Sequence, residues 1–345
     1  SLNDYLIFTL FGLSIYSVGQ YQWLKNLKIS SNQINFVITL IVPTALIVSN
    51  FLRLPNAIHT FCWIPYLLLG INYSFKKDKF IKSFFLIFFS SLFILTAGYP
   101  YFIIYIFILS VIYFFLIFNL NEKKISQLPT NIFKCSVPAL ISLLISFPWL
   151  YGVFKTLSFT QDRDLKNFEF ATLHKFDYLD ILGSWIYPIT SNTEGRYYFG
   201  IFFTFLIFYY LKFLLKKNVN FKKKKIKITF FVLITFFIIS FLSMSGQTTI
   251  FKFIWDKIDF IQNMRTWPRI NILLVPVLSL LGVLALKNLV NSFKNSNLKN
   301  NNFIFINILL LTILLFQIFL FNIGSVDSYW FSWHEKRFLF AKEYF

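Results

Sequence analysis

Long apolar runs alternate with short polar segments along the whole chain. Reading for runs of about 17 to 25 apolar residues, the length of a helix that crosses a bilayer, we predict about ten membrane spans. They are Tyr5–Trp23, Ile34–Phe51, Ala57–Tyr73, Phe80–Ala97, Tyr101–Phe118, Ile132–Phe154, Tyr197–Leu215, Ile226–Met244, Ile270–Leu289 and Phe303–Ile323. Because proline lacks a backbone N–H, Pro65 interrupts the third span, and Pro138 and Pro148 are expected to kink the sixth. The pattern predicts an all-α integral membrane protein, a polytopic helical bundle.

The lysines predict which way this bundle faces. One set of alternate loops, beginning with the loop that holds Lys25 and Lys28, contains most of the lysines and only two acidic residues, Asp78 and Glu122. Since cytoplasmic loops are enriched in lysine and arginine, we predict that this set is cytoplasmic. Both ends of the chain are then external, and the polar chemistry is concentrated on the outer face of the membrane.

The composition argues against a soluble nucleic-acid-binding protein, despite a formal net charge of +19. Residues are 57% hydrophobic and only 14% charged, whereas about a quarter of the residues of a soluble domain are charged. The lysines lie in short tracts between apolar runs, and we interpret the tract KKNVNFKKKKIK as an anchor attracted to anionic lipid of the inner leaflet. Cys62 and Cys135 lie inside apolar runs without metal-ligand spacing, so we expect neither a metal site nor a disulfide.

We predict a single transmembrane domain, 1–345, with three longer outer segments: loops 155–196 and 245–267 and the tail 324–345. In the first loop, the stretch FATLHKFDYLDIL places apolar residues at three-residue steps, with polar residues between them. These apolar residues are Leu173, Phe176, Leu179 and Leu182. The spacing predicts a short amphipathic helix that lies on the outer membrane surface.

The stretch NMRTWPRINILL carries the strongest candidate for chemistry. Arg265 and Arg269 precede the ninth span at a spacing that places both on one face of an α-helix, and Pro268 suits the first turn of that helix. Two guanidinium groups beside a helix N-terminus form a receptor for a phosphate or pyrophosphate. The alternative is that the arginines reach lipid headgroups and set only the end of the helix.

A second candidate is the short outer loop NFLRLPNAIHTFCWIP, which contains Arg53, Asn56 and His59. Because the ordinary pKa of histidine is near neutrality, His59 could act as a general base or bind a lipid phosphate. A histidine at an interface that serves only as a hydrogen-bonded side chain is the alternative. Arg53 is a supporting candidate for phosphate binding.

Two further stretches carry polar groups. The turn TAGYPYFIIY has glycine and proline suited to a tight turn, and its Tyr99 and Tyr101 belong either to a substrate groove or to the interfacial aromatic belt. The stretch TQDRDLKNFE contains Asp162 and Asp164, which could hold a metal or supply a base, or could be solvated loop charges.

The order of these pieces resembles the bacterial YfhO-type membrane proteins of the GT-C superfamily, the polyprenyl-phosphate-dependent glycosyltransferases. The resemblance runs from about Tyr5 to Leu289 through the stretches WLKNLKISSNQINFVITLIV, RLPNAIHTFCWIPYLLLGI, TAGYPYFIIY, LGSWIYPI, RYYFGIFFTFLIF and FIQNMRTWPRINILLVPVLSLLGVLAL. Each piece is short and degenerate, so the evidence lies in their order.

Individual positions match the family pattern. The matching residues are His59, Trp63, Pro65, Gly98, Pro100, Tyr198, Gly200, Arg265 and Arg269. Two positions depart from it: Tyr101 stands where a polar residue usually follows the proline, and Pro268 sits one place late in the arginine motif. By resemblance, Arg265 and Arg269 bind the lipid phosphate with support from His59 and Arg53, and Tyr99, Tyr101, Tyr198 and Trp267 line the substrate groove.

The resemblance implies an inverting transfer of a sugar from a polyprenyl-phosphate carrier to a glycan or lipid acceptor of the cell envelope, at the outer face of a bacterial cytoplasmic membrane. Enzymes of this superfamily typically carry their catalytic acid in the first outer loop, and the first span here matches their second. We therefore expect the catalytic acid to precede Ser1, with the chain being a fragment. A divalent cation, Mg²⁺ or Mn²⁺, is compatible with the superfamily, though no residue set here requires one. The alternative function is a transporter or flippase of lipid-linked saccharides.

Overall fold

The protein is helical throughout the residues that the computed structural model describes, which are 2–41, 55–98, 101–157, 168–172, 175–181, 199–215, 223–262, 267–294 and 312. The α-helices are α1 (Leu2–Leu27), α2 (Asn32–Ile41), α3 (Pro55–Phe61), α4 (Ile64–Ser74), α5 (Phe80–Thr96), α6 (Tyr101–Leu120), α7 (Leu128–Leu157), α8 (Phe168–Ala171), α9 (Ile201–Leu215), α10 (Lys224–Met244), α11 (Thr249–Lys257), α12 (Asp259–Gln262) and α13 (Leu274–Lys294). The prediction of an all-α protein is confirmed for these residues.

Five helical stretches of the described residues are long and apolar enough to cross a membrane. They are Lys77–Thr96, Phe102–Leu120, Ile125–Val153, Lys224–Gln247 and Trp267–Ser292, and Asn32–Ile41 and Phe203–Leu215 are shorter apolar helices. The multi-pass membrane character is thus confirmed, and these five stretches coincide with the fourth, fifth, sixth, eighth and ninth predicted spans. The tenth predicted span lies outside the described residues apart from Thr312.

The third predicted span is wrong as a single helix, because the chain forms two short helices, α3 and α4, that meet at Cys62 and Trp63. Pro65 lies in the first turn of α4, where its missing N–H costs no intrahelical hydrogen bond. Neither piece is long enough to cross a bilayer alone. By contrast, α7 runs for 30 residues through both Pro138 and Pro148.

The last of the five stretches, Trp267–Ser292, lies at the centre of the bundle. In its 18-residue apolar window 94% of residues are buried, against 22% in the corresponding window of the α7 stretch. Helix α13 packs on α2, α9 and α10, and Gly282 allows the close approach of α9, because a Cβ at that position would lie 2.6 Å from the Phe203 ring. Protein rather than lipid therefore surrounds this span.

Lysines from the predicted cytoplasmic loops meet at one end of the bundle. Four ammonium groups donate hydrogen bonds to other segments of the chain: Lys76 to the Oδ1 of Asn26 (3.0 Å), Lys224 to the carbonyl oxygen of Leu27, Lys287 to that of Ile29 (2.6 Å) and Lys227 to that of Asn119 (3.1 Å). We call the region around these lysines the lysine-rich end. Helices α5, α7 and α10 begin there, so they finish at what we call the opposite end.

The outer loop 155–196, which is the first of the two longer outer loops, does not form the predicted surface helix. Residues 175–177 are not helical, Phe176 is fully buried, and Leu179 is 69% exposed, so these side chains do not share one face. The Phe176 N–H donates to the Ser243 carbonyl oxygen (3.0 Å). Asp177 and Asp180 then cap a short helical turn at 178–181, each accepting the other's backbone N–H. Leu173 and Leu182 lie outside the described residues. A short amphipathic helix does occur in the second outer loop, as α11.

Candidate functional site

The chain enters its central span through a 3-10 helix of seven residues, Trp267–Leu273, at the opposite end of the bundle. Pro268 lies in its first turn, as predicted. Arg269 thus lies in a 3-10 helix, whereas the prediction of one face shared with Arg265 assumed an α-helix; that shared face stays a prediction. Arg265 lies outside the described residues.

Trp267 is the anchor of this segment. Its side chain is 1% exposed, and its ring centroid lies 4.9 Å from that of Phe251, in an edge-to-face arrangement, and 5.9 Å from that of Tyr105. Phe168 and Trp255 extend the same group of rings at 5.5 Å from each other. We call these five residues the aromatic cluster. Rings in such offset arrangements attract one another beyond the effect of burial, so the cluster holds the start of the central span in place.

Hydrogen bonds attach the 3-10 helix to the end of α10. The Ser243 hydroxyl lies 2.7 Å from the Asn271 Oδ1, and the Ser243 carbonyl accepts the N–H of Phe176 from the first outer loop. Gly246 then packs closely on Thr172, since a Cβ there would lie 2.6 Å from the threonine hydroxyl. The two outer loops thus meet beside the aromatic cluster.

Arg269 is half-buried between the buried residues Pro268 and Ile270. It stands two residues after Trp267, where the central span begins at the opposite end of the bundle. A guanidinium group offers five donors in a planar fork, which suits the oxygens of a phosphate. Because protein surrounds this span, Arg269 is less exposed to bulk lipid than an arginine on a peripheral helix would be.

His59 packs on α1. Its Nε2 lies 2.9 Å from the Phe8 carbonyl oxygen, and its ring stacks on that of Phe8 with 3.7 Å between centroids. A carbonyl oxygen only accepts, so Nε2 carries a proton, and Nδ1 is the nitrogen left for any other role. Gly12 permits this contact, since a Cβ there would lie 3.3 Å from Nε2. His59 and Trp267 therefore contact different helices.

Two glycines of the predicted turns have left-handed backbone conformations. Gly98 has φ 88° and Gly200 has φ 92°, which glycine adopts without steric cost. Gly98 ends the segment after α5, and Gly200 directly precedes α9. The predicted groove residues Tyr99 and Tyr198 lie outside the described residues, and Tyr101 begins α6, with its side chain outside them.

The remaining candidates, Arg53, Asp162 and Asp164, also lie outside the described residues. Among the residues that the structure describes, no group of three His, Cys, Asp or Glu side chains could hold a metal ion. Tyr105 and Asn271 were not predicted as residues of this region. Asn271 was visible as a polar residue at the head of an apolar run, whereas nothing in the sequence separated Tyr105 from other membrane tyrosines.

No family model, curated protein or solved structure matches this chain.

Proposed function

We propose that the protein is a membrane glycosyltransferase that binds a polyprenyl-phosphate-linked sugar at the opposite end of the bundle. The sugar passes to a glycan or lipid acceptor of the cell envelope on the outer side of a bacterial cytoplasmic membrane. The resemblance to the GT-C superfamily, with Arg265 and Arg269 in the matching positions, supplies the reaction type.

The position of Arg269 carries the proposal. Snorkelling to headgroups explains an arginine on a helix that faces lipid, but this half-buried arginine stands at the start of a span whose 18-residue apolar window is 94% buried. A cation held at the start of a helix that is surrounded by protein can bind an anion that enters between the helices. The buried aromatic cluster beside it fixes the segment that carries the cation, so the guanidinium group is held at the start of the span.

In the proposed reaction the acceptor hydroxyl attacks the anomeric carbon of the donor sugar as a carboxylate takes the hydroxyl proton, and the polyprenyl phosphate leaves. The role of Arg269, with Arg265, is to stabilise the negative charge that develops on the leaving phosphate. This role requires cations within hydrogen-bonding reach of that phosphate in the complex.

The test compares binding and transfer by the full-length gene product in vesicles that contain a radiolabelled polyprenyl-phosphate sugar. The variants are the Arg265→Ala, Arg269→Ala pair and, as a matched control, Lys257→Ala, which removes an exposed cation from the same end. We expect the pair to lower lipid-phosphate binding, and to lower sugar transfer about 100-fold, while the control changes neither.

Unchanged binding in the double variant would overturn the phosphate site. Labelled lipid that crosses the bilayer in the wild type without any transfer would favour the alternative function, a flippase of lipid-linked saccharides, and would remove the catalytic roles.

A further inference from the structure

The lysine-rich end brings together cations from separate segments of the chain. Lys28 belongs to the turn after α1, Lys76 and Lys79 to the connection between α4 and α5, and Lys224 to the first turn of α10. Burial lowers the pKa of Lys76, and the neighbouring charges of Lys79, Lys28 and Lys224 lower it further. These ammonium groups are therefore close enough to repel one another.

The loops at this end contain almost no negative charge to offset that repulsion. Asp78 and Glu122 are the only acidic residues in the predicted cytoplasmic loops of the sequence. The Glu122 Oε1 lies 3.8 Å from the Lys227 Nζ. The negative charge of Asp78 partly offsets the lowering of the Lys76 pKa. The first turn of α10 adds Lys225 to Lys224, although cations at a helix N-terminus are unfavourable.

Neutral donors are also in surplus here. The side-chain amides of Asn26, Asn35 and Asn288 each have a buried Nδ2 without a hydrogen-bond partner among the described residues. Asn35 is fully buried, and its Oδ1 accepts from Ser30 in the turn that follows α1. Asn26 accepts from Lys76, and Asn288 adjoins Lys287, which bonds to that same turn. The unmatched groups are all donors, which is the arrangement that an anion completes.

We propose that the lysine-rich end contains a specific binding site for a phosphate group, built around the α1–α2 turn by Lys28, Lys76, Lys79 and Lys224. The phosphate belongs either to an anionic phospholipid of the adjacent leaflet or to a soluble phosphate compound. This site is separate from the proposed sugar-transfer site, and it differs from diffuse attraction between basic loops and an anionic surface because it depends on particular lysines.

The experiment measures lipid retention by native mass spectrometry, and the thermal midpoint in neutral detergent, after adding phosphatidylglycerol, phosphatidylcholine or glycerol phosphate. The test variant is the Lys76→Gln, Lys224→Gln pair. The matched control is the Lys77→Gln, Lys82→Gln pair, which removes the same charge from exposed positions near the same end. We expect the wild type to prefer phosphatidylglycerol, and the test pair to lose about tenfold or more in that preference while the control keeps it.

A midpoint raised by glycerol phosphate as strongly as by phosphatidylglycerol would identify a soluble phosphate as the ligand of the same site. Equal losses in both pairs, or a wild type with no preference for any phosphate anion over phosphatidylcholine, would overturn the proposal. The Lys76→Arg, Lys224→Arg pair keeps the charges and should keep the preference. The wild-type comparison decides the question even if the glutamine pair does not fold.

Discussion

The two ends of the bundle are held by different interactions. At the lysine-rich end, lysines from different segments donate to backbone carbonyl groups, as Lys224 does to Leu27 at the end of α1 and Lys287 to Ile29 in the turn that follows. At the opposite end, the aromatic cluster around Trp267 packs ring against ring, and the 3-10 helix is attached by the Ser243 to Asn271 hydrogen bond. The first end is rich in charge and poor in acceptors, whereas the second holds the half-buried Arg269 next to buried aromatic rings.

This difference suggests different ligands for the two ends. A cationic surface with spare donors suits a small anion whose charge alone is recognised. At the opposite end, a buried aromatic cluster fixes the segment that carries Arg269, and we propose that this arginine binds the phosphate of a polyprenyl phosphate. The comparison predicts that packing dominates stability at the opposite end and that charge dominates it at the lysine-rich end.

Truncating the anchor of the aromatic cluster should have the largest effect. Trp267→Ala is expected to lower the free energy of unfolding by about 3 kcal/mol or more, because it leaves a large cavity against Tyr105 and Phe251. The measurement is unfolding by denaturant in mixed micelles. Trp149→Ala, at a 37% exposed position on α7, is the control and should cost about 0.5 kcal/mol or less. A similar loss in the free energy of unfolding for the two variants would contradict the role of the aromatic cluster as an anchor.

Gln20 lies in α1, away from both proposed binding sites, and it tests how much stability a buried unpaired amide costs. Its side chain is fully buried in α1, and neither amide atom has a hydrogen-bond partner among the described residues. Gln20→Leu should therefore raise the free energy of unfolding by about 1 kcal/mol, while Gln22→Leu, at an exposed position of the same helix, should change it little. A loss of stability in Gln20→Leu would show that the amide has a partner, such as a buried water.

At the lysine-rich end, Lys287→Met removes the hydrogen bond to the Ile29 carbonyl oxygen. We expect a loss of about 1 kcal/mol in the free energy of unfolding, since the carbonyl loses its charged donor and the lysine stem is replaced by a similar apolar volume. Lys82→Met, at an exposed position, is the comparison and should be neutral. A neutral Lys287→Met would mean that the turn is held without this bond.

The smallest expected effect is a dependence on pH. The pKa of Lys76 is lowered by burial and by neighbouring lysines. At pH values just below the ordinary lysine pKa, the unfolded chain therefore binds more protons than the folded one. Stability should therefore rise slightly as the pH increases through the range just below the ordinary lysine pKa. Thermal midpoints of the wild type and of Lys76→Met, measured across that range, should differ in slope, with the steeper rise in the wild type. Parallel slopes would contradict the lowered pKa of Lys76.

The long spans could be predicted from the sequence because their signal is local. The fourth span, predicted as Phe80–Ala97, is helix Phe80–Thr96, and the eighth, predicted as Ile226–Met244, is helix Lys224–Met244. The distribution of lysines also predicted which loops lie on the same side, and lysines from several of these loops do lie at one end of the bundle. These properties depend on apolar length and on charge, which the sequence displays directly.

The parts that could not be predicted depend on contacts between distant segments. Phe176 was expected on a surface helix, but its N–H bonds to Ser243 and its ring is fully buried. The apolar spacing of its segment does not reveal which face meets α10. Likewise, the break at Cys62 and the 3-10 geometry at Trp267 arise from local proline effects combined with packing, and the unpaired asparagine amides at the lysine-rich end are visible only in three dimensions.

The central claim is that the two ends face opposite sides of the membrane, with the sugar-transfer site outside. It can be tested most directly by labelling single introduced cysteines in intact cells with a membrane-impermeant maleimide, using the wild type to measure the background from Cys62 and Cys135. Lys257→Cys at the opposite end should be labelled in intact cells, and Lys77→Cys at the lysine-rich end only after permeabilisation. Labelling of Lys77→Cys in intact cells, with Lys257→Cys protected, would contradict the account.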